Sequence, residues 1–289
     1  MIRMNHLRTV VLSHFPGCLF NFIQLDIEWF LVAVFYGTAD KSLCMEFTVS
    51  IKEKQAHLMT LKYPHNNCVN CKFTGAELLL KLYLIVKQLG IEEIELLDMS
   101  QKYFAEDCSV SLPVLSILQY GMTWYNRFGY YGPNRDAEHA FIQRELHRPF
   151  KEWNWNGLWD KLNRAFKNIP YLPARLKYRG NYTLDEFRDE LKSEGFENAD
   201  TLYDVGKLLR KRLEKSDDFC KSPLFFILRH LETRIFNRIA WSLKLMVNDP
   251  ETVAIYAALE KKIGSGKTGG KTRNKRPRKI RSHRFIALP

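Results

Sequence analysis

Two cysteines and a histidine stand at three-residue intervals in His65-Asn66-Asn67-Cys68-Val69-Asn70-Cys71. Two thiolates and an imidazole suit a zinc ion, which takes four nitrogen or sulfur ligands, with His57 or a more distant residue as the fourth. A strong zinc pattern carries a second pair at a fixed spacing, and this chain has none, so reduced loop cysteines are the alternative reading. The six cysteines, at 18, 44, 68, 71, 108 and 220, follow no secreted disulfide spacing. A second chemistry-bearing stretch is Thr123-Trp124-Tyr125-Asn126-Arg127-Phe128-Gly129-Tyr130, in which proton-bearing phenols flank a glycine. Tyr125 is there either a functional phenol or a core aromatic with its hydroxyl satisfied.

The third stretch is electrostatic. Residues 265–289 hold Lys267, Lys271, Arg273, Lys275, Arg276, Arg278, Lys279, Arg281 and Arg284 and no acid. These nine cations carry +9 of the net +12 and leave +3 to the 264 residues before them. The body of the chain is nearly neutral, and the basicity is an appended arm. Its Gly264-Ser265-Gly266 start and Gly269-Gly270 pair read as a flexible linker. A phosphate-binding loop is excluded, because counting back from Gly270 or Gly266 reaches Ser265 or Lys261 where the pattern needs glycine. Lys275 to Lys279, compact and interrupted by a proline, fits a nuclear-import or nucleic-acid patch. The expected partner is a nucleic acid or another polyanion, gripped without sequence preference through residues 265–289; a solvated terminus without a partner is the alternative.

The elements that must position these residues follow from periodicity. An apolar content of 46% with 13% aromatics is enough to bury a core. No apolar run reaches the roughly eighteen residues that span a bilayer, so no membrane contact is expected. Arg3, His6, Arg8 and His14 precede the first acid, Asp26, without a small-residue cleavage site. The expected location is therefore intracellular, cytoplasmic or nuclear. Residues 26–37 form a near-continuous apolar run suited to a buried strand. Met45, Phe47, Val49 and Ile51 alternate with polar residues, and Ala56 to Tyr63 continues as a further strand up to Pro64. Leu78, Leu82, Ile85 and Leu89 then repeat at helical spacing. Thr74 and Glu77 make a capping box, Gly90 stops the helix, and residues 91–97 form the next strand.

Strands, a glycine-bearing loop, a helix, a strand and then an aromatic-Tyr-x-x-aromatic-Gly-aromatic closure resemble the GNAT superfamily of acyl-CoA N-acyltransferases, over roughly residues 20–132. In that family a loop of the form Arg/Gln-x-x-Gly-x-Gly/Ala opens the helix and holds the cofactor pyrophosphate on backbone amides, at a helix N-terminus that favours anions. The resemblance implies acetyl-CoA as cofactor, held by Gly75 and Ala76 with Lys72 donating from a shifted register. It implies that Tyr125 protonates the departing CoA thiolate. Phe73 stands where the family has its earlier glycine and Asn70 where it has Arg or Gln, and residues 101–120 read as an insertion. Asp98 and Ser100, at the end of the strand, stand where α/β sheets place ligands or are a helix cap. Glu46 and His57 are candidates for the base that deprotonates the amine.

After Gly132-Pro133 the pattern turns helical. Residues 136–147 read as a helix stopped by Pro149, and Trp153, Trp155 and Trp159 read as a junction anchor. Thr183 with Glu186 is a capping box, and Asp249-Pro250 opens a helix. From Ser222 a stripe of Leu224, Leu228, Leu231, Ile235, Ile239 and Leu243 predicts a long helix with one apolar face, the other facing water or a protein partner. The expected architecture is an α/β domain with a mixed, GNAT-like sheet over residues 1–132, an all-α domain over 133–264, and a basic flexible tail over 265–289. A divergent core with a short arginine-rich tail would suit a large DNA virus. Two functions fit: an N-acyltransferase moving an acyl group from acyl-CoA to an amine, intact or degenerate, or a non-catalytic structural or nucleic-acid-binding protein on the same scaffold.

Overall fold

The computed structural model describes residues 2–36, 42–61, 73–98, 101–105, 108–154, 183–193, 195, 197–212 and 242–265. Lys72, His65, Cys68, Cys71, Ser100, Trp155, Trp159, most of the helix expected from Ser222 and the tail cations beyond 265 lie outside the described residues.

The chain opens with a helix, α1 (Ile2–His14), that composition alone did not announce; Leu7, Val10 and Val11 bury one of its faces. A meander of four antiparallel strands follows: β1 (Leu19–Gln24), β2 (Trp29–Tyr36), β3 (Ser42–Ser50) and β4 (Gln55–Leu61). The crossover helix α2 (Gly75–Gln88) carries the chain to β5 (Glu93–Leu97), parallel to β4. The supposed insertion is structured. It forms a separate hairpin of β6 (Gln101–Ala105) and β7 (Cys108–Ser111), then α3 (Leu112–Tyr120). Helices α4 (Arg135–His147), α5 (Leu184–Ser193) and α6 (Leu202–Arg212) come next. The strand β8 (Ser242–Met246) and the helix α7 (Pro250–Gly264) close the described chain.

β8 pairs antiparallel with β5 and completes a mixed six-stranded sheet of order β1-β2-β3-β4-β5-β8. This corrects the helix expected to run through Leu243. Ser-Leu-Lys-Leu-Met has period two, and Leu243 and Leu245 are buried while Ser242, Lys244 and Met246 are exposed. The α/β sheet thus draws a strand from the range 133–264, and α7 packs against α2 through a Tyr256–Tyr83 stack with centroids 4.0 Å apart.

One face of the sheet carries the core. Phe30, Val32, Val34, Met45, Phe47, Val49, Ala56, Leu58, Ile94, Leu96, Leu243 and Leu245 meet α1, α2 and Tyr256 there. The register gives the other face a row of different chemistry: Leu31, Thr48, His57, Glu95 and Lys244 lie side by side across five strands. Helix starts follow the local sequence. Thr74 Oγ1 accepts from the Glu77 amide at 3.2 Å while the Glu77 carboxylate accepts from the Thr74 amide at 2.5 Å. Thr183 and Glu186 repeat that box, and Asp249 accepts from the Thr252 amide with Pro250 at the first helical position. Each such cap contributes on the order of 1 kcal/mol.

Candidate functional site

A parallel strand pair with a crossover helix gathers function at its carboxyl end, and here that end is shaped by a bulge. Glu46 of β3 stands opposite Thr60 and Phe47 opposite Leu58, so Met59 has no partner across the β3–β4 ladder. An extra residue bends its strand and increases the local twist. The β4–β5 ladder runs from Gln55↔Glu93 to Leu58↔Leu96 and stops there, while β4 continues to Leu61. Met59 is 61% exposed and Leu97, one residue past the last rung, is 59% exposed. Past Leu58↔Leu96 the two strands share no further rung, and exposed apolar side chains stand at that end. The one signal in the sequence is the phase break at Leu58-Met59, where two apolar residues are adjacent.

The N-terminus of α2 lies at this same end, because the helix is the element that follows β4 and it returns the chain to the start of the parallel strand β5. The capping box takes up the amides of Thr74 and Glu77, and the Thr74 carbonyl accepts from Leu78. Of the first turn, Gly75 and Ala76 hold the two amides the cap leaves. The Glu77 carboxylate occupies the positive end of the helix dipole, where a phosphate would otherwise be favoured. Phe73, just before the Thr74 cap, joins an aromatic cluster. Its ring meets Phe15 at 5.8 Å and Tyr36 at 6.4 Å, edge to face in both cases. The Lys81 ammonium sits 4.6 Å from the Phe73 centroid and donates to the His14 carbonyl at 2.5 Å. Burial lowers the Lys81 pKa below its ordinary value.

Tyr125 opens a single 3₁₀ turn, Tyr125–Phe128, tied together by Asn126. The Asn126 side chain accepts from the Thr123 amide at 2.9 Å and donates to the Tyr130 carbonyl at 2.7 Å, while its own amide donates to Thr123 Oγ1 at 3.2 Å. Gly129 ends the turn at φ +86°, and a Cβ there would meet Leu245 Cδ1 at 3.0 Å. Both the conformation and the space call for glycine. Two backbone hydrogen bonds between Tyr131 and Lys244, of 2.9 and 2.8 Å, fasten the exit of the motif to β8.

Tyr125 is half-buried beside Trp124 and Tyr130, with centroids at 4.9 and 5.9 Å. Burial raises its pKa above the phenol's ordinary value, and the nearby Asp98 carboxylate and then Tyr130 add to the shift. Asp98, 4% exposed, is the residue after β5, so the fold brings Tyr125 to the carboxyl end of that strand. A cavity of about 200 Å³ lies beside the same motif, lined by Thr123, Asn126, Tyr131, Arg135, Asp136 and His139 among others. Tyr125 does not line it. Arg135, its largest cation, lies over the Tyr131 ring and is bound through both terminal nitrogens to Glu251.

On the sheet face away from the core, His57 Nδ1 stands 3.6 Å from Glu95 Oε2, and Lys244 reaches Glu95 Oε1 at 2.5 Å and Glu93 at 3.0 Å. The Lys244 hydrogen bond is the main reason the Glu95 pKa lies below the ordinary carboxylate value. Trp29 meets the His57 ring edge to face at 4.8 Å. Composition and spacing do not signal this row, which forms only once five strands are in register.

Among the described residues no group of three or more His, Cys, Asp or Glu is placed to hold a metal ion. Cys44, buried on β3, is disulfide-bonded, although the spacing of the six cysteines did not suggest a disulfide framework; such bonds persist in oxidising surroundings. Among the described residues no helix is long and apolar enough to cross a membrane. No protein-family model, curated protein or solved structure matches this chain.

Proposed function

We propose that the chain is a GNAT-like N-acyltransferase that moves an acyl group from acyl-CoA to an amine, with acetyl-CoA as the expected donor. The observation that carries this reading is the carboxyl end of the β4–β5 ladder, where β4 runs on past Leu58 through the Met59 bulge at the end where α2 begins. The Gly75 and Ala76 amides would hold the pyrophosphate. The backbone of Met59 to Leu61, past the last β5 rung among the described residues, would accept the amide-bearing arm of the cofactor as a strand accepts another strand. Tyr125, a phenol that keeps its proton, would give it to the departing thiolate. The test is thiol release from acetyl-CoA by the full chain with a set of primary amines, namely spermidine, tryptamine and a blocked lysine peptide. Release above the amine-free rate supports the reading, and none with any amine opposes it.

One observation favours a second reading, a non-catalytic scaffold that grips polyanions with its tail. The Glu77 carboxylate caps the α2 N-terminus and the Phe73 ring packs on Phe15 just before it, which crowds a phosphate approaching Gly75 and Ala76. On that reading Lys271 to Arg284 carry the binding, and cutting the chain after Gly264 should remove most affinity for a DNA duplex at low salt. Unchanged affinity after the cut would sink the second reading.

A further inference from the structure

β1 is an outer strand of the sheet, and nothing in its sequence protects that edge. Edge strands commonly carry a lysine, a proline or a bulge, because their unpaired N–H and C=O groups are a template for another strand. Leu19–Gln24 holds no charged residue and no proline. Its register against β2 runs without a shift from Leu19↔Phe35 to Gln24↔Phe30. Among the described residues no strand pairs with its outer side. The opposite edge is closed by other means. There β8 presents Lys244, whose backbone is taken up by Tyr131 in hydrogen bonds of 2.9 and 2.8 Å.

The order of side chains in β1 says what fits the open edge. Leu19-Phe20-Asn21-Phe22-Ile23 has the same pattern in both directions: aliphatic, Phe, Asn, Phe, aliphatic. Such a strand is complementary to itself in an antiparallel pair with a two-fold axis at Asn21, the isologous geometry of a symmetric dimer. We propose that β1 pairs with β1 of a second copy of this chain, joining two six-stranded sheets into one continuous sheet. In that register Asn21 faces Asn21 of the second copy, Leu19 faces its Ile23, and Phe20 faces its Phe22.

The backbone of β1 is oriented for this register. The Leu25 amide donates to the Trp29 carbonyl at 3.0 Å, one rung beyond Gln24↔Phe30. Alternate residues of an antiparallel strand bond to the same neighbour, so Leu19, Asn21 and Ile23 turn their backbone to β2. Phe20, Phe22 and Gln24 turn theirs to the open edge. Phe20 and Phe22 are thus the residues that exchange hydrogen bonds across the new pair. Asn21 falls on a rung without backbone bonds, where side chains come closest, and its amide can both donate to and accept from its copy.

The side chains supply the apolar contact. Leu19 and Ile23, on the face away from the core, are 45% and 42% exposed. Phe20 and Phe22 lie half-buried on the core side, beside α1. Phe15 stands 6.3 Å from Phe20, and the Arg8 guanidinium 5.5 Å from the Phe22 centroid. Leu12, one turn after Arg8 on the same side of α1, is 50% exposed. A standard interface takes about 800 Å² from each partner, so α1 joins the strand in forming it. Like charges do not meet. The acids at the exit of β1, Asp26 and Glu28, lie toward the entry of the second copy's strand, which follows α1, a helix without an acid. Glu28 is in any case paired with Lys52.

The test is sedimentation velocity of the full chain over about 1 to 100 μM, because a dimer's population follows concentration. Wild type is compared with Asn21→Lys, Asn21→Glu, an equimolar mixture of those two, and Ser242→Lys on the opposite edge. Asn21 and Ser242 are exposed, so every variant should keep the wild-type far-UV circular dichroism. Wild type should be a dimer, and either Asn21 variant should dimerise about tenfold or more weakly, since like charges then meet at the axis. The mixture should return to within about threefold of wild type, because Lys then faces Glu, a recovery that misfolded variants would not show. Ser242→Lys should behave as wild type. A wild type that stays monomeric overturns the pairing, and so does a dimer indifferent to both Asn21 variants or lost in Ser242→Lys. A mixture that fails to recover overturns the two-fold axis at Asn21.

Discussion

Tyr125→Phe should lower kcat for acyl transfer by about 100- to 1,000-fold while leaving acetyl-CoA affinity within about twofold, the range expected when a positioned proton donor is removed. The ring should stay in place, because its packing against Trp124 and Tyr130 needs no hydroxyl. The same phenol makes a prediction in pH. Burial and then the Asp98 carboxylate raise the Tyr125 pKa above its ordinary value. A group with a raised pKa stays protonated to higher pH, so an acid-dependent rate should hold through the range where an ordinary phenol near 10 would lose its proton. Asp98→Asn should lessen that protection and draw the alkaline limb downward. Initial rates of thiol release for the three proteins check both statements. A Tyr125→Phe variant as active as wild type would remove the tyrosine from the chemistry.

The second large effect is structural. Gly206 lies inside α6, where glycine costs about 1 kcal/mol relative to alanine, so a close approach must explain it. A Cβ at Gly206 would stand 1.8 Å from the Leu118 carbonyl oxygen of α3, a backbone atom that cannot rotate away. Gly206→Ala should therefore push α6 off α3 and destabilise the fold by about 1–3 kcal/mol, despite the better helix propensity. Because α3 leads directly into the Thr123–Tyr130 motif, activity should fall as well. Gly264→Ala, where nothing lies within 4 Å, serves as the control and should be neutral or slightly stabilising. Urea unfolding of the two variants distinguishes them, and equal midpoints would contradict the packing argument.

What could be read in the sequence depended on range. The Thr74–Glu77 and Thr183–Glu186 boxes were legible because both partners lie within one turn. The alternation of Met45, Phe47 and Val49 gave β3, since one face of that strand meets the core. Leu243 misled because it falls in step with the apolar stripe from Leu224, and only pairing with Leu96 makes it a strand residue. The bulge at Met59 shows locally only as the adjacent apolar pair Leu58-Met59, and its place depends on the register of β3 against β4. Tyr125 was visible as a phenol, whereas its approach to Asp98 needs the motif to end against Lys244. The His57–Glu95–Lys244 row was invisible for the same reason. Its members come from three strands whose order is a property of the sheet.

Binding of the acyl donor is the claim on which the rest stands. Calorimetric titration of the full chain with acetyl-CoA measures it directly, using adenosine 3′,5′-bisphosphate to separate recognition of the nucleotide from recognition of the thioester arm. The account predicts saturable binding at micromolar acetyl-CoA, about −8 kcal/mol, with markedly weaker binding of the nucleotide alone because the β4 backbone beyond Leu58 would hold the arm. No heat of binding at millimolar acetyl-CoA would contradict it.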